Sequence, residues 1–192
     1  MKDCPADPED EVLENALEWK RTADSLPAGL EARVERIWQR WNRNREQLAD
    51  IYPRLPRSVF QADINYSNCL LDDDGTFKGV YDFNLAGRDV FLNYLFREIP
   101  YVTTTNSHKT SDEEDFVVRS LLHAIEISKQ AYHFSEAERN AAILLYRCLE
   151  PLWYTEVEQL KRAGENLDAI NQCLDETEYI QTREIDFAGA MV

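Results

Sequence analysis

Apolar residues recur at helical spacing along most of the chain. Between Glu9 and Asp24, Val12, Leu13, Ala16, Leu17 and Lys20 follow that spacing, and Pro8 suits the start of a helix. Leu26-Pro27-Ala28-Gly29 interrupts the pattern. It resumes from about Leu30 to Ile51, where Leu30, Val34, Ile37, Trp38, Trp41 and Leu48 share one stripe, and Pro53 and Pro56 end it. The texture then changes. Ser58-Val59-Phe60 and Asn68-Cys69-Leu70-Leu71 are short and extended in character, Asp72-Asp73-Asp74-Gly75 is a turn signal, and Thr76 to Asp82 supplies a second strand, so a β-hairpin is predicted here. Helical spacing returns at about Asp89 with Phe91, Leu92, Leu95 and Ile99, and Thr103 to Lys109 reads as a loop. Phe116, Val117, Leu121, Ile125 and Ser128 then predict a helix from about Ser111 to Tyr132. Ser135-Glu136-Ala137-Glu138 has the form of a capping box. Pro151 interrupts the following apolar pattern, Gly164 fits a helix C-terminus, and Asn166 fits the N-cap of a last helix to about Thr182. The expectation is a mainly α protein with one small β-hairpin in its middle.

The length of 192 residues fits one domain with a real core. No apolar run approaches the ~20 residues of a membrane-spanning helix. The acidic N-terminus lacks the apolar stretch of a signal peptide. Cys4, Cys69, Cys148 and Cys173 are scattered without a CxxC pair, which argues against a zinc site or a disulfide frame and for the cytoplasm. With 21 basic and 36 acidic residues the net charge is −15, which disfavours nucleic acid or a membrane surface as partner. The charge is uneven: residues 1–18 hold seven acids and one lysine, whereas 33–57 hold seven arginines, as two solvated or facing helix surfaces would.

The polar residues around the hairpin carry the chemistry. Gln61-Ala62-Asp63-Ile64-Asn65-Tyr66-Ser67-Asn68 leads into it, and Val80-Tyr81-Asp82-Phe83-Asn84 leads out. Asp63 and Asn68 lie five residues apart in one loop, and hairpin pairing returns Asp82 close to Asn68. This arrangement resembles the aminoglycoside phosphotransferase and choline-kinase-like branch of the protein-kinase fold, whose pattern is H-G-D-x-x-x-x-N, an apolar strand, a D-x-G turn, a second strand and I-D-F. The resemblance implies the helical C-terminal lobe of that fold over most of the chain: a helical segment at 1–57, the catalytic loop and hairpin at 58–84, and a helical subdomain at 85–192.

The resemblance also implies roles. Asp63 would orient the acceptor hydroxyl and take its proton. Asn68 and Asp82 would hold Mg2+, a hard cation that prefers oxygen ligands, against the phosphates of ATP. Gln61 stands where the family has His, and its amide can both donate and accept, so support of the catalytic loop is retained. Asn93, ahead of Asp89, replaces the family's bracing Asp. Glu150 and Tyr154 are candidates for the acceptor pocket. Asn84, after Asp82-Phe83, is expected in a left-handed conformation, which Asn tolerates. Asp72, Asp73 and Asp74 are read as turn formers, Trp38 and Trp41 as core, Lys20 as a solvated lysine, and His108, His123 and His133 as surface or satisfied core residues.

One part of the family pattern has no counterpart. The 62 residues before Asp63 read as two helices, with no strand–Gly-rich–strand pattern and no phosphate-binding Lys segment. The chain therefore reads as a C-terminal lobe without its nucleotide-binding N-terminal lobe, either a fragment or a stand-alone form. The enzymatic reading is an ATP-dependent phosphotransferase acting on a hydroxyl of a small molecule, and the acidic balance leans to a cationic acceptor. The rival is a non-catalytic, pseudokinase-like interaction module. In both, apolar side chains are expected on a bare face that the missing lobe, a second chain or another copy would cover.

Overall fold

The computed structural model describes residues 10–61, 66–84, 86–103 and 111–192. Helix α1, Glu11–Ala23, is capped by Asp10, whose carboxylate accepts from the Leu13 N–H at 3.1 Å. It buries Val12, Ala16, Trp19 and Ala23, a 4-3-4 stripe. Leu17, expected on that stripe, is exposed, because Trp19 takes the inward arc two residues on. Gly29, at φ 103°, turns the chain into α2, Glu31–Ile51. Val34, Ile37, Trp41, Asn44 and Leu48 point inward from α2, and Trp38 stacks on Trp41 at 5.4 Å. The buried Trp41 indole N–H donates to the Cys148 carbonyl at 3.0 Å and so ties α2 to a helix more than a hundred residues away. Each large apolar side chain buried in this way contributes roughly 1.5–3 kcal/mol. A 3-10 turn at Tyr52–Arg54, with Pro53 in its first positions, ends the helix as expected.

Two small antiparallel sheets follow. Strand β1, Arg57–Gln61, pairs with β4, Ala86–Val90; between them β2, Cys69–Leu71, pairs with β3, Phe77–Val80. The β2–β3 hairpin is the predicted one. The Asp72 N–H bonds to the Thr76 carbonyl at 2.9 Å, Gly75 takes φ 83°, and Asp74 accepts from the Thr76 N–H, so the acidic tip is a turn. The β1–β4 ribbon corrects the sequence reading, which placed a helix start at Asp89. Residues 86–90 are extended, and α3, Phe91–Thr103, begins directly after them.

The remaining helices are α4 (Ser111–Ser128), α5 (Glu136–Leu149), α6 (Tyr154–Ala163), α7 (Leu167–Thr182) and the short α8 (Phe187–Ala190). The expected caps are present. Ser135 and Glu138 form the capping box of α5, Gly164 ends α6 at φ 57°, and Asn166 caps α7. Helix α4 stops at Ser128, short of Tyr132, and Phe116 is exposed while Val117 and Val118 point inward. Central α5 packs on α2, α3 and α8, α1 lies on α6, and α7 bridges α2 and α6. Phe187 of α8, not anticipated as a helix, meets Phe96 and Tyr146 edge-on and tilted. The β1–β4 ribbon rests on α3, whereas the β2–β3 hairpin packs chiefly on itself. No helix among the described residues is long and apolar enough to cross a membrane.

Candidate active site

The ends of the two sheets link Gln61 and Asn68 to the Tyr81–Asp82 segment. In β1, Phe60 is buried and stacks on Tyr94 of α3 at 5.3 Å; Gln61, the last strand residue, is 5% exposed. The Gln61 side-chain amide donates to the Asp82 carbonyl at 2.7 Å and weakly to the Tyr81 carbonyl at 3.4 Å. Gln61 thus holds the exit of the hairpin. Asp63, together with Ala62, Ile64 and Asn65, lies outside the described residues.

Asn68 ends a 3-10 turn at Tyr66–Asn68 and is 6% exposed. Its carbonyl accepts from the Tyr81 N–H at 3.0 Å, directly beyond the Cys69–Val80 pair, and the Tyr81 hydroxyl bonds back to the Ser67 carbonyl. Asn68 and Asp82 are therefore set by one ladder, with Asp82 one residue past the partner of Asn68. Asp82 is exposed and takes φ 60°; its carboxylate lies 3.4 Å from the Asn84 N–H. The left-handed residue is thus Asp82, not Asn84. Asp is among the residues that tolerate this region, its own side chain contacts the Asn84 N–H, and the Gln61 amide on its carbonyl adds a restraint from β1.

The β1–β4 ribbon is fastened by Asp89, which is 3% exposed. Its carboxylate accepts from the Tyr52 hydroxyl at 3.1 Å on each oxygen, from the Asn93 side-chain amide at 3.2 Å and from Arg57 at 3.3 Å. A buried carboxylate is tolerated when donors surround it, as here. Asn93, 2% exposed, spends that bond on Asp89. Asp89, the less favoured residue in the sequence reading, is the fastening of this region. The signal is hidden because the helical spacing starts at about Asp89, whereas β4 extends through Val90; in the strand, Ser58–Asp89 pairing brings the acid to the ribbon's inner face.

Glu150 and Tyr154 occupy the α5–α6 junction. Glu150 is a buried C-cap whose N–H bonds to the Tyr146 carbonyl, and Tyr154 is exposed beside Trp153. Arg97, one turn beyond Asn93 on α3, lies 4.6 Å over the Trp153 ring and 3.8 Å from a Glu11 carboxylate oxygen. An internal cation therefore already occupies a face of that aromatic ring. His123 and His133 are exposed, and His108 lies outside the described residues. Among the described residues no group of three or more His, Cys, Asp or Glu side chains is placed to hold a metal ion.

Several apolar side chains of the two sheets and the hairpin exit are exposed: Val59, Leu70, Leu71, Phe77, Tyr81 and Phe83, with Val59 at 77%. Leu71 and Phe77 face each other across the hairpin.

Residues 3–92 match the phosphotransferase enzyme family, APH. The match runs from before α1 to the start of α3 and takes in both sheets. It is narrower than the coverage of most of the chain that the motifs led us to expect, with the helical stretch after residue 92 outside it. The match spans the segment that holds the motifs from Gln61 to Phe83 and is consistent with the resemblance read from them. No curated protein matches the chain.

Proposed function

We propose that the chain carries the catalytic loop and metal-binding hairpin of an ATP-dependent phosphotransferase that moves the γ-phosphoryl group to a hydroxyl of a small molecule. The observation that carries the reading is the backbone bond between the Asn68 carbonyl and the Tyr81 N–H, which sets Asn68 beside the residue preceding Asp82 within a family-matched segment. One carboxamide and one carboxylate form an all-oxygen donor pair. Such a pair suits Mg2+, which commonly takes one or two carboxylates, completes its shell with water and phosphate, and needs no protein cage. When bound, the ion would neutralise charge on the phosphates. Asn68 and Asp82 would hold it, and Gln61 keeps the Asp82 backbone in place. Asp63 would orient the acceptor hydroxyl and accept its proton late in the transfer. The net charge of −15 favours a cationic acceptor such as an amino sugar or amino alcohol. The interior cation on Trp153 argues against a cation cage on that ring face.

In this reading the elements that cover adenine and phosphates come from a segment or second chain seated on exposed apolar side chains of the sheets, among them Leu71 and Phe77, which are paired across the hairpin. The same side chains support the second reading, a non-catalytic module that binds a partner protein through them. Calorimetry of Mg-ATP on the 192-residue chain distinguishes them, with Asn68→Ala and Asp82→Asn as controls. The enzymatic reading expects weak binding, above micromolar, that either substitution abolishes. Micromolar affinity with steady turnover would show that the chain needs no added element. Equal binding by all three proteins would remove Asn68 and Asp82 from the site. In the assembled enzyme, Asp63→Asn should lower kcat by roughly 10²–10⁴-fold with little change in KM for nucleotide.

A further inference from the structure

We propose that Tyr94 is a positioning residue for Asp82, acting through Gln61; the inference rests on the reading of Asp82 as a metal ligand. Tyr94 lies on α3, half-buried, with its ring stacked on Phe60 and its hydroxyl donating to the Gln61 carbonyl at 2.9 Å. That carbonyl belongs to the peptide through which β1 passes toward Asp63. The side chain of the same residue reaches the other way and donates to the Asp82 carbonyl at 2.7 Å. Gln61 is therefore held at its backbone by α3 and itself holds the hairpin exit. Helix α3 is in turn anchored to the rest of the lobe: it packs on α4 and α5, the Phe91 N–H bonds to the Pro56 carbonyl, and Asn93 bonds to Asp89.

Asp82 is the one non-glycine residue with positive φ among the described residues. Asp enters the left-handed region more readily than most residues, aided here by its own side-chain contact with the Asn84 N–H, and a restraint from outside the hairpin narrows it further to this conformation. The β2–β3 hairpin cannot supply that restraint alone, since an isolated two-stranded hairpin is marginally stable in water and this one packs chiefly on itself. The chain of contacts Tyr94 hydroxyl, Gln61 carbonyl, Gln61 amide, Asp82 carbonyl joins the hairpin exit to the anchored helix. The Tyr94 hydroxyl is a dependable donor: burial, with Glu98 adding to it, pushes its pKa up to about 12.

Tyr94→Phe keeps the ring against Phe60 and removes only the hydroxyl. In the 192-residue chain, Mn2+ binding followed by electron paramagnetic resonance should weaken roughly two- to tenfold, the equivalent of one hydrogen bond. Amide hydrogen exchange should accelerate at residues 80–84 while α7 keeps its wild-type rates, which a general loosening would not allow. Asp82→Asn serves as the control for the site itself. Unchanged exchange at 80–84 in Tyr94→Phe overturns the proposal. So does faster exchange with unchanged Mn2+ affinity in a protein whose Asp82→Asn variant loses Mn2+, because Tyr94 would then be structural only. If Asp82→Asn leaves Mn2+ binding as in wild type, the reading of Asp82 as a ligand fails. Exchange at 80–84 against α7 then decides by itself whether Tyr94 holds Asp82.

Discussion

Replacing Asp89 tests whether the β1–β4 ribbon is fastened as described. In Asp89→Ala the Tyr52 hydroxyl and the Asn93 amide lose their acceptor in a region where Asp89 is 3% and Asn93 2% exposed. A buried donor left unpaired costs about 1–3 kcal/mol. Asn93 is buried but Tyr52 only half-buried, so the pair reaches about 2–6 kcal/mol at most. Arg57 adds little, since its side chain is 43% exposed and turns to water when its partner goes. Removing a buried carboxylate also releases the cost of its desolvation, which draws the expected loss to the lower half, about 2–4 kcal/mol. Asp89→Asn keeps the shape and one acceptor oxygen, so it should lose about 1–2 kcal/mol. Urea unfolding monitored by circular dichroism measures both. The midpoint should fall in the order wild type, Asp89→Asn, Asp89→Ala with an unchanged slope. A loss below about 0.5 kcal/mol in Asp89→Ala would mean that the donors find other acceptors and that the carboxylate is not the fastening.

Asp115 on α4 accepts from the Tyr179 hydroxyl at 3.0 Å and from Arg183 at 2.7 Å, and these two bonds, the tyrosine first, hold its carboxyl below the ordinary 3.8. A depressed folded pKa contributes stability above the unfolded value that is lost as pH falls through the folded one. The gap in urea midpoint between wild type and Asp115→Asn should therefore narrow below about pH 4, and an equal gap at pH 7 and pH 3 would exclude this linkage. Burial pushes the Cys148 thiol up to about 12. Iodoacetamide at pH 8 should leave Cys148 unlabelled in the folded chain and label it in urea, as peptide mass spectrometry would read; labelling of the native protein would contradict its burial.

What was legible in the site was local. Asp72 to Gly75 announces its turn because Asp and Gly favour those backbone angles, and the turn sets the pairing that leaves Asn68 beside Tyr81. Gln61 was expected to support the catalytic loop, whose residues 62–65 lie outside the described ones; its amide is seen instead on the hairpin exit at Asp82. The roles of Asp89 and Tyr94 were not legible, because each depends on partners 32 to 37 residues away that only chain pairing brings near.

The same division runs through the whole chain. Helix existence and most helix ends are sequence properties: the stripe Val34, Ile37, Trp41, Leu48 and the caps at Ser135, Gly164 and Asn166 act within a few residues, and the backbone responds to them locally. Which flank of a stripe is covered is a tertiary matter. Leu17 and Phe116 satisfy helical spacing yet face solvent, since the neighbouring helices are seated over Trp19 and over Val117 and Val118 instead. The extended form of residues 86–90 is tertiary too. Ala86-Gly87-Arg88-Asp89-Val90 carries no strong strand pattern of its own, and it is extended because β1 offers it a ladder of backbone hydrogen bonds. Even the left-handed backbone of Asp82 belongs to this class: its sequence neighbours allow it, but the amide of Gln61, twenty-one residues earlier, holds it there.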